Sequence, residues 1–381
     1  MPSAPPILAR VTITEPLPGF LSLGQATARR TLLNGALRGR LQRTLLVHGP
    51  AGAGKAAFVD DLLALLFCAS VDRGQRPCNA CSGCRRARAR THPDLVVGSP
   101  ERWREERSAG ESIVAAARRW LLANAGAPVE AERRVTLIEE ADRTNEQTQS
   151  ALLKVLEEPG PRQMFVLVAD EPARLLPTIR SRAQAVRVGA VPRPQLVEWL
   201  TERRQLPEDQ ADSLARIAEG LQERALDFVD HPERLAWWRQ TQLELLDLLE
   251  RGPADRFGSI RDLLTSAARL QAGPVDEGDG ESEPVAGAAA EQRAGALRVI
   301  EAWLGLARDL AVAGAGRPAL APGAGLHPQL PAIASRIDQR ELVAFIEHLE
   351  ATREALRQNA APILAMQAAM LTWPTIGTET R

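Results

Sequence analysis

The sequence predicts an α/β domain, with a parallel sheet between helices, followed by a small and then a larger all-helical region. Three observations carry this. A glycine-rich turn, "GPAGAGK" (Gly49 to Lys55), joins an apolar strand-like run to a segment of helical period. Two further apolar runs alternate with a helical pattern, the order that yields a parallel sheet covered on both faces. After about residue 188 every patterned segment reads as helix.

Taken in order, "RTLLVHG" (residues 43–49) reads as a buried strand and "KAAFVDDLLALLFCAS" (55–70) as the helix that follows the turn. "RVTLIEEAD" (134–142) and "MFVLVAD" (164–170) are the next strands. Between them "NEQTQSALLKVLEE" (145–158) has helical spacing and is stopped by Pro159 and Gly160. "RPQLVEWLTERR", "DQADSLARIAEG" and the run from Arg224 to Glu250 read as helices. Residues 272–290, "AGPVDEGDGESEPVAGAAA", are rich in Gly, Pro and acids and read as a disordered loop. A closing helix pair occupies "QRELVAFIEHLEATREALRQNAAPILAMQAAMLTWP". The organisation is thus an α/β domain over 1–189, a helical region over 190–232 and a larger helical domain over 233–381.

Bulk composition is that of a globular chain: 381 residues, 45% hydrophobic and 25% charged. A formal net charge of −1 implies no global attraction to nucleic acid or membrane. No leader pattern and no membrane-length apolar run is seen, so cytoplasmic residence is the expectation. Of 47 basic residues only Lys55 and Lys154 are lysines. A compact ammonium at the loop position, in a chain that otherwise uses arginine, fits a phosphate cradle, where a guanidinium fork does not substitute.

That cradle is degenerate. Gly49, Gly52, Gly54 and Lys55 supply the glycines and the lysine, but Ala56 stands where a Ser or Thr hydroxyl holds Mg²⁺. At the end of the next strand Glu139 and Glu140 stand where an ATPase carries Asp then Glu. Glu139 sets its carboxylate one methylene too far for the metal. Both direct protein contributions to Mg²⁺ are therefore altered, and the sequence leaves open whether the loop binds ATP.

Cys78, Cys81 and Cys84 form C-x2-C-x2-C, and Cys68 lies ten residues upstream at the end of the loop helix. Four thiolates are what a closed tetrahedral structural Zn²⁺ site needs, with no open position for catalysis. An iron–sulfur cluster is the rival reading. The basic run "RRARARTH" (85–92) reads as a solvated face, with a phosphate-contacting patch as the alternative. In "LLPTIRSRA" (175–183) two arginines follow the third strand, as surface charge or as a group reaching a neighbouring subunit's nucleotide.

With these residues assembled, the chain resembles the delta-prime family of bacterial DNA polymerase III clamp-loader subunits over nearly its whole length. The marks are Gly24–Gln25, "GPAGAGK", the four cysteines, "THPDL", "IEEADRTNEQTQSALLKVLEEP", "LLPTIRSR" and "EALRQNAAPILAMQAAML". "ALLKVLEEP" and the zinc cysteines are shared with the motor subunits of the same assembly and do not separate the two. The resemblance implies an AAA+ fold: an α/β domain with a zinc module at about 68–84, a helical lid and a helical collar. It implies a hetero-pentamer with tau/gamma motor subunits and delta, reaching the sliding clamp and primed DNA through the complex, with no membrane contact. Arg182 would be an arginine finger acting in trans, although the family's following cysteine is Ala183 here. The nucleotide-sensing lid arginine is displaced, with Glu223 in its place and Arg224 one later, and Ala169 or Asp170 stands at the usual polar sensor position. The expected function is a non-hydrolysing structural subunit. The alternatives are an active motor ATPase of the tau/gamma type, or a zinc-dependent nucleic-acid-binding protein on a relic ATPase fold.

Overall fold

The computed structural model describes residues 19–157, 159–272, 287–358, 360–374 and 376. The chain divides into two compact units, 1–224 and 225–381.

The first unit is built on a five-stranded, wholly parallel sheet: β1 (Thr44–His48), β2 (Leu95–Gly98), β3 (Arg134–Ile138), β4 (Gln163–Ala169) and β5 (Gln184–Arg187). The spatial order is β2-β3-β4-β1-β5. Its helices are α1 (Ala26–Leu37), α2 (Lys55–Phe67), α3 (Ser82–Arg88), α4 (Pro100–Glu105), α5 (Ile113–Ala123), α6 (Glu146–Glu157) and α7 (Pro177–Arg182). They are followed by α8 (Arg193–Arg204), α9 (Glu208–Ile217) and the start of α10 (Gln222–Asp230). The expected fold class is present: a parallel sheet among helices, then helices only. Among the described residues no strand follows Arg187.

Strand alternation sorts the core into two layers. Leu45, Val47, Val135, Leu137, Met164 and Val166 face α1, α2 and α3, with Phe58, Leu62 and Leu63 of α2 fully buried against them. Leu46, Ile138, Phe165 and Leu167 face α4 to α7, with Trp103 and Trp120 in that layer. Each large side chain so buried stabilises the fold by about 1.5–3 kcal/mol. Because both faces are covered, the central strands read as unbroken apolar runs. The two short strands were not expected from sequence. Four residues at a sheet edge carry too little pattern to stand out, as "LVVG" and "QAVR" show.

Buried carboxylates tie the loops to this frame. Asp94, fully buried just before β2, accepts from the amides of Val129, Glu130 and Ala131 at 2.5, 2.9 and 2.7 Å. Burial pushes its carboxyl up, but the three amides prevail and hold it below its ordinary 3.8. A depressed folded-state value means the stabilisation is complete above the unfolded value. It is lost as pH falls through the folded one. Asp94→Asn turns an NH₂ toward amide donors and is expected to destabilise by about 3 kcal/mol. In denaturant titrations the gap from wild type should be constant from neutrality to pH 5 and shrink below pH 4. A gap independent of acid would remove the charge-based account.

The second unit comprises the rest of α10 with α11 (Pro232–Asp247), α12 (Pro253–Ala272), α13 (Gly287–Gly314), α14 (Leu330–Ala334), α15 (Gln339–Arg357) and α16 (Pro362–Met370). Its core surrounds α13, where Trp303, Leu306 and Leu310 are buried against Phe345, Met366 and Trp373. Arg256, nearly fully buried, donates to the carbonyls of Leu248, Arg251, Trp373 and Pro374 and pins the segment that follows α16. Of the expected loop at 272–290, helix claims Ala272 and 287–290. The remaining acidic stretch lies outside the described residues, as do residues 1–18. Among the described residues no helix is long and apolar enough to cross a membrane.

Candidate functional site

The phosphate-type loop runs from β1 into α2 at the C-terminal edge of the sheet. Gly49 passes so close to Val188 that a β-carbon there would lie 1.7 Å from its carbonyl oxygen. Gly54 sits at φ +89° directly before Lys55, the first residue of α2, where only glycine is unstrained. Gln25 clamps the neighbouring segment reciprocally, donating to the Gly189 carbonyl at 2.6 Å and accepting from its amide at 3.0 Å. The loop thus packs on a segment, Val188–Gly189, that Gln25 holds in place.

The lysine, however, is engaged within the chain. Lys55 Nζ lies 2.7 Å from Asp170 Oδ1 and donates to the Gly49 and Pro50 carbonyls at 3.0 and 2.8 Å. Its side chain is only 9% exposed. Glu139, at the metal-organising position, accepts from Arg90 at 2.5 Å, and Arg90 also binds Asp60 of α2 at 3.0 Å. Glu140 takes a left-handed turn at φ +49° and pairs with Arg143 at 2.6 Å. Burial raises the Glu140 carboxyl above its ordinary value, with Arg143 opposing. Asp142 is likewise raised by burial and by nearby Asp170, while accepting from the amides of Asp170 and Glu171.

Lys55, Arg90, Glu139, Glu140 and Asp170 line a cleft of about 410 Å³. It contains Lys55 and Arg90 against Glu101, Glu139, Glu140, Asp170 and Glu223, with Ala56 contributing no hydroxyl. Glu223 reaches the rim because its backbone amide donates to the Gly52 carbonyl at 2.9 Å. The electrostatic balance is therefore unfavourable to a polyphosphate.

The cysteines converge. The Sγ atoms of Cys68, Cys78, Cys81 and Cys84 all lie within 4.8 Å of one another. Zinc–sulfur bonds of about 2.3 Å in a tetrahedron place sulfurs about 3.8 Å apart, so the set fits a tetrahedral ion with minor closure. Cys68 is the first residue after α2, not its last, and is extended. Cys81 caps α3, accepting from the Cys84 amide at 3.3 Å. Cys68 Sγ accepts from the amides of Cys78 and Ser70 at 3.4 and 3.5 Å. Burial pushes the Cys81 thiol up, but the Ala69 and Cys84 amides with the neighbouring thiols bring it down to about 6. Burial drives the Cys84 and Cys68 thiols up, and the Cys81 and Ala80 amides hold Cys78 down. The cluster can hold a metal ion.

The basic run is partly solvated, with Arg85 exposed, and its other arginines are paired within the fold. Arg86 pairs with Glu130. Arg88 binds fully buried Asp61 at 2.8 Å, Asn79 at 2.7 Å and the Gly19 carbonyl at 3.2 Å. Arg90 enters the cleft, and His92 stacks on Phe67 with centroids 3.9 Å apart. These arginines fasten the cysteine module to α2 and to the chain around residues 19–22, because Asp61 also accepts from the Leu21 and Ser22 amides. The partners of Asp61, Asp94, Asp60, Arg90 and Asp170 escape sequence reasoning, since nothing local says which distant group a lone carboxylate or guanidinium will clamp.

Arg182 ends α7 and is not among the cleft residues. It pairs with Glu157 at 3.0 Å and donates to the Thr178 carbonyl at 3.2 Å, with 41% of its side chain exposed. Buried Gln149 fixes the start of α7, accepting from the Leu176 amide at 2.7 Å and donating to the Thr144 and Arg174 carbonyls. Ala183 packs at the edge of the α4–α7 core layer.

Comparison with known proteins follows this geometry. The family model described as DNA polymerase III, delta subunit, matches residues 24–191. DNA polymerase III subunit delta' of Pseudomonas aeruginosa is 35% identical over 48% of this chain and 53% of its own length. The Bacillus subtilis delta' subunit is 28% identical over 62% of this chain and 69% of its own. The match thus spans about half of the first relative and just over two thirds of the second. A solved gamma subunit-related protein from Thermotoga maritima covers 90% of this chain and 97% of its own at 14% identity, with a TM-score of 0.38. Through the family model and these relatives, the chain is similar to the DNA polymerase III delta' subunits.

Proposed function

We propose that this protein is a non-hydrolysing subunit of a DNA polymerase III clamp loader that lends Arg182 to the ATP site of an adjacent motor subunit. The observation that carries the reading is an asymmetry. The cleft's own cations are neutralised by Asp170 and Glu139, whereas Arg182 stands outside the cleft on an exposed helix end. Relatives named delta' and tau support the assembly: the tau subunit of Escherichia coli is 31% identical over 55% of this chain. The partners would be tau/gamma motor subunits and delta, with the sliding clamp and primed DNA engaged through the complex. The four cysteines would hold one structural Zn²⁺, which fastens residues 68–84 and takes no part in chemistry.

The test is ATP turnover in two settings. The purified protein alone is expected to release no phosphate above background. Mixed with motor and delta subunits and primed DNA, it should restore DNA-stimulated hydrolysis that the mixture lacks without it. Steady turnover by the lone protein, abolished in Lys55→Ala, would instead identify a motor ATPase.

A further inference from the structure

We infer that the nucleotide cleft is liganded by its own chain: Asp170 stands in for a nucleotide phosphate on Lys55, and Arg90 stands in for the divalent metal on Glu139. The inference deepens the reading of the loop as non-hydrolysing, on which it rests. Loss of the Mg²⁺ hydroxyl at Ala56 explains poor catalysis, but it does not by itself close a site. Closure needs the remaining cradle to be occupied.

The geometry provides that occupation. Lys55 Nζ has three acceptors, two loop carbonyls and the Asp170 carboxylate, which is the donor capacity of an ammonium group. An incoming phosphate oxygen must displace one of them, and Asp170, the anionic acceptor beside two neutral carbonyls, is the one that repels it. Asp170 sits at the tip of β4, one residue beyond the strand, and its backbone is fixed by the bond from its amide to buried Asp142. Its carboxylate is therefore delivered by the frame rather than by a mobile loop. On the other flank Arg90 has a left-handed backbone at φ +54° and spans Asp60 and Glu139. A guanidinium bridging two carboxylates supplies the positive charge that Mg²⁺ would supply to Glu139.

Both substitutes belong to this chain and are present before any ligand arrives. Binding of a nucleoside diphosphate then requires breaking the Lys55–Asp170 pair, so apparent affinity is reduced by the fraction of molecules in which it is open. Asp170 is the residue that decides between an occupied and a receptive loop.

The experiment uses the full-length protein with pyrophosphate and ADP as probes, read by calorimetry and thermal shift. Wild type is expected to give no saturable binding and no stabilisation. Asp170→Asn keeps the side-chain shape, and its fold is verified by circular dichroism. It should bind ADP and pyrophosphate at least about tenfold more tightly than wild type, with a ligand-dependent rise in Tm. Lys55→Ala in that background should abolish the gain, which a merely structural role of Asp170 would not require. Adding Arg90→Gln should make ADP binding Mg²⁺-dependent, which requires that the longer Glu139 side chain, once freed, reach the ion; Mg²⁺-independent binding would remove Arg90 as the metal's substitute. A folded Asp170→Asn protein that binds no better than wild type would overturn the inference, as would wild type binding ADP equally well. Either result leaves the ATPase of the mixed complex untouched, so failure here is distinct from failure of the assigned function.

Discussion

Replacing Arg182 by alanine is expected to slow hydrolysis at one ATP site of the reconstituted complex by about 10³-fold, the lower range for loss of an arginine finger. Assembly should be intact by gel filtration. The side chain is exposed at the end of α7 and its removal opens no cavity. The magnitude follows from where charge develops. A guanidinium that meets the transferred phosphoryl group in a water-poor interface stabilises the transition state more than the ground state. Its present contact with Glu157 is no obstacle. The two side chains are 41% and 48% exposed, and such pairs contribute about 0–1 kcal/mol, so docking against a neighbour displaces Glu157 cheaply. Glu157→Gln should therefore change turnover little, which sets it apart from Arg182→Ala. Arg182→Lys should not rescue, since an ammonium cannot reproduce the planar fork. Single-turnover hydrolysis separates the sites: one site-equivalent of fast amplitude should vanish. Undiminished amplitude with a fully assembled complex would remove Arg182 from this role.

How much of this was legible in the sequence depends on how local each feature is. β1, β3 and β4 are central strands buried on both faces, so their apolar runs are unbroken. β2 and β5 are four-residue edge strands whose pattern a helix terminus or a loop could equally supply. The phosphate-type turn is local chemistry, and the glycines that Val188 and α2 demand stand in the sequence where the fold uses them. The cysteine cluster is nearly local, with three ligands on seven residues, and it converges as expected. Pairing choices are not local. Arg90 finds Glu139 across 49 residues and Asp60 across 30, and no rule of spacing connects them. The same holds for Lys55 and Asp170, which meet only because β1 and β4 are neighbours in the sheet. The unusual lysine pointed to a phosphate site, yet in the fold its charge is met by a carboxylate. The arginines of the basic run looked interchangeable in sequence, but each has a separate partner in the structure.

Removing one thiolate should be the most damaging single change in the first unit. Cys84→Ser is expected to destabilise by more than about 4 kcal/mol, since loss of a bound structural metal belongs to the few mechanisms with effects of that size. The argument runs through what the cysteines hold. Cys68 follows α2 and Cys81 caps α3, so one ion held by the four sulfurs would fix the angle between these helices. That angle aims Arg88 at Asp61 and Arg90 at Asp60 and Glu139. Asp61 is fully buried, and withdrawing Arg88 leaves its charge to the Leu21 and Ser22 amides and the nearby guanidinium of Arg29. Breaking a buried pair by losing one partner costs about 3–5 kcal/mol, so damage at the cysteine cluster is expected to spread to residues 19–22 and to the cleft. Metal analysis should find one zinc per chain in a colourless protein; a brown, iron-containing preparation would favour a cluster instead. Stripping the ion with a strong chelator should raise amide exchange at residues 19–22 and 68–92 first, while the central strands stay protected. Uniform protection after complete metal removal would show that the arginine–aspartate pairs hold the module without it.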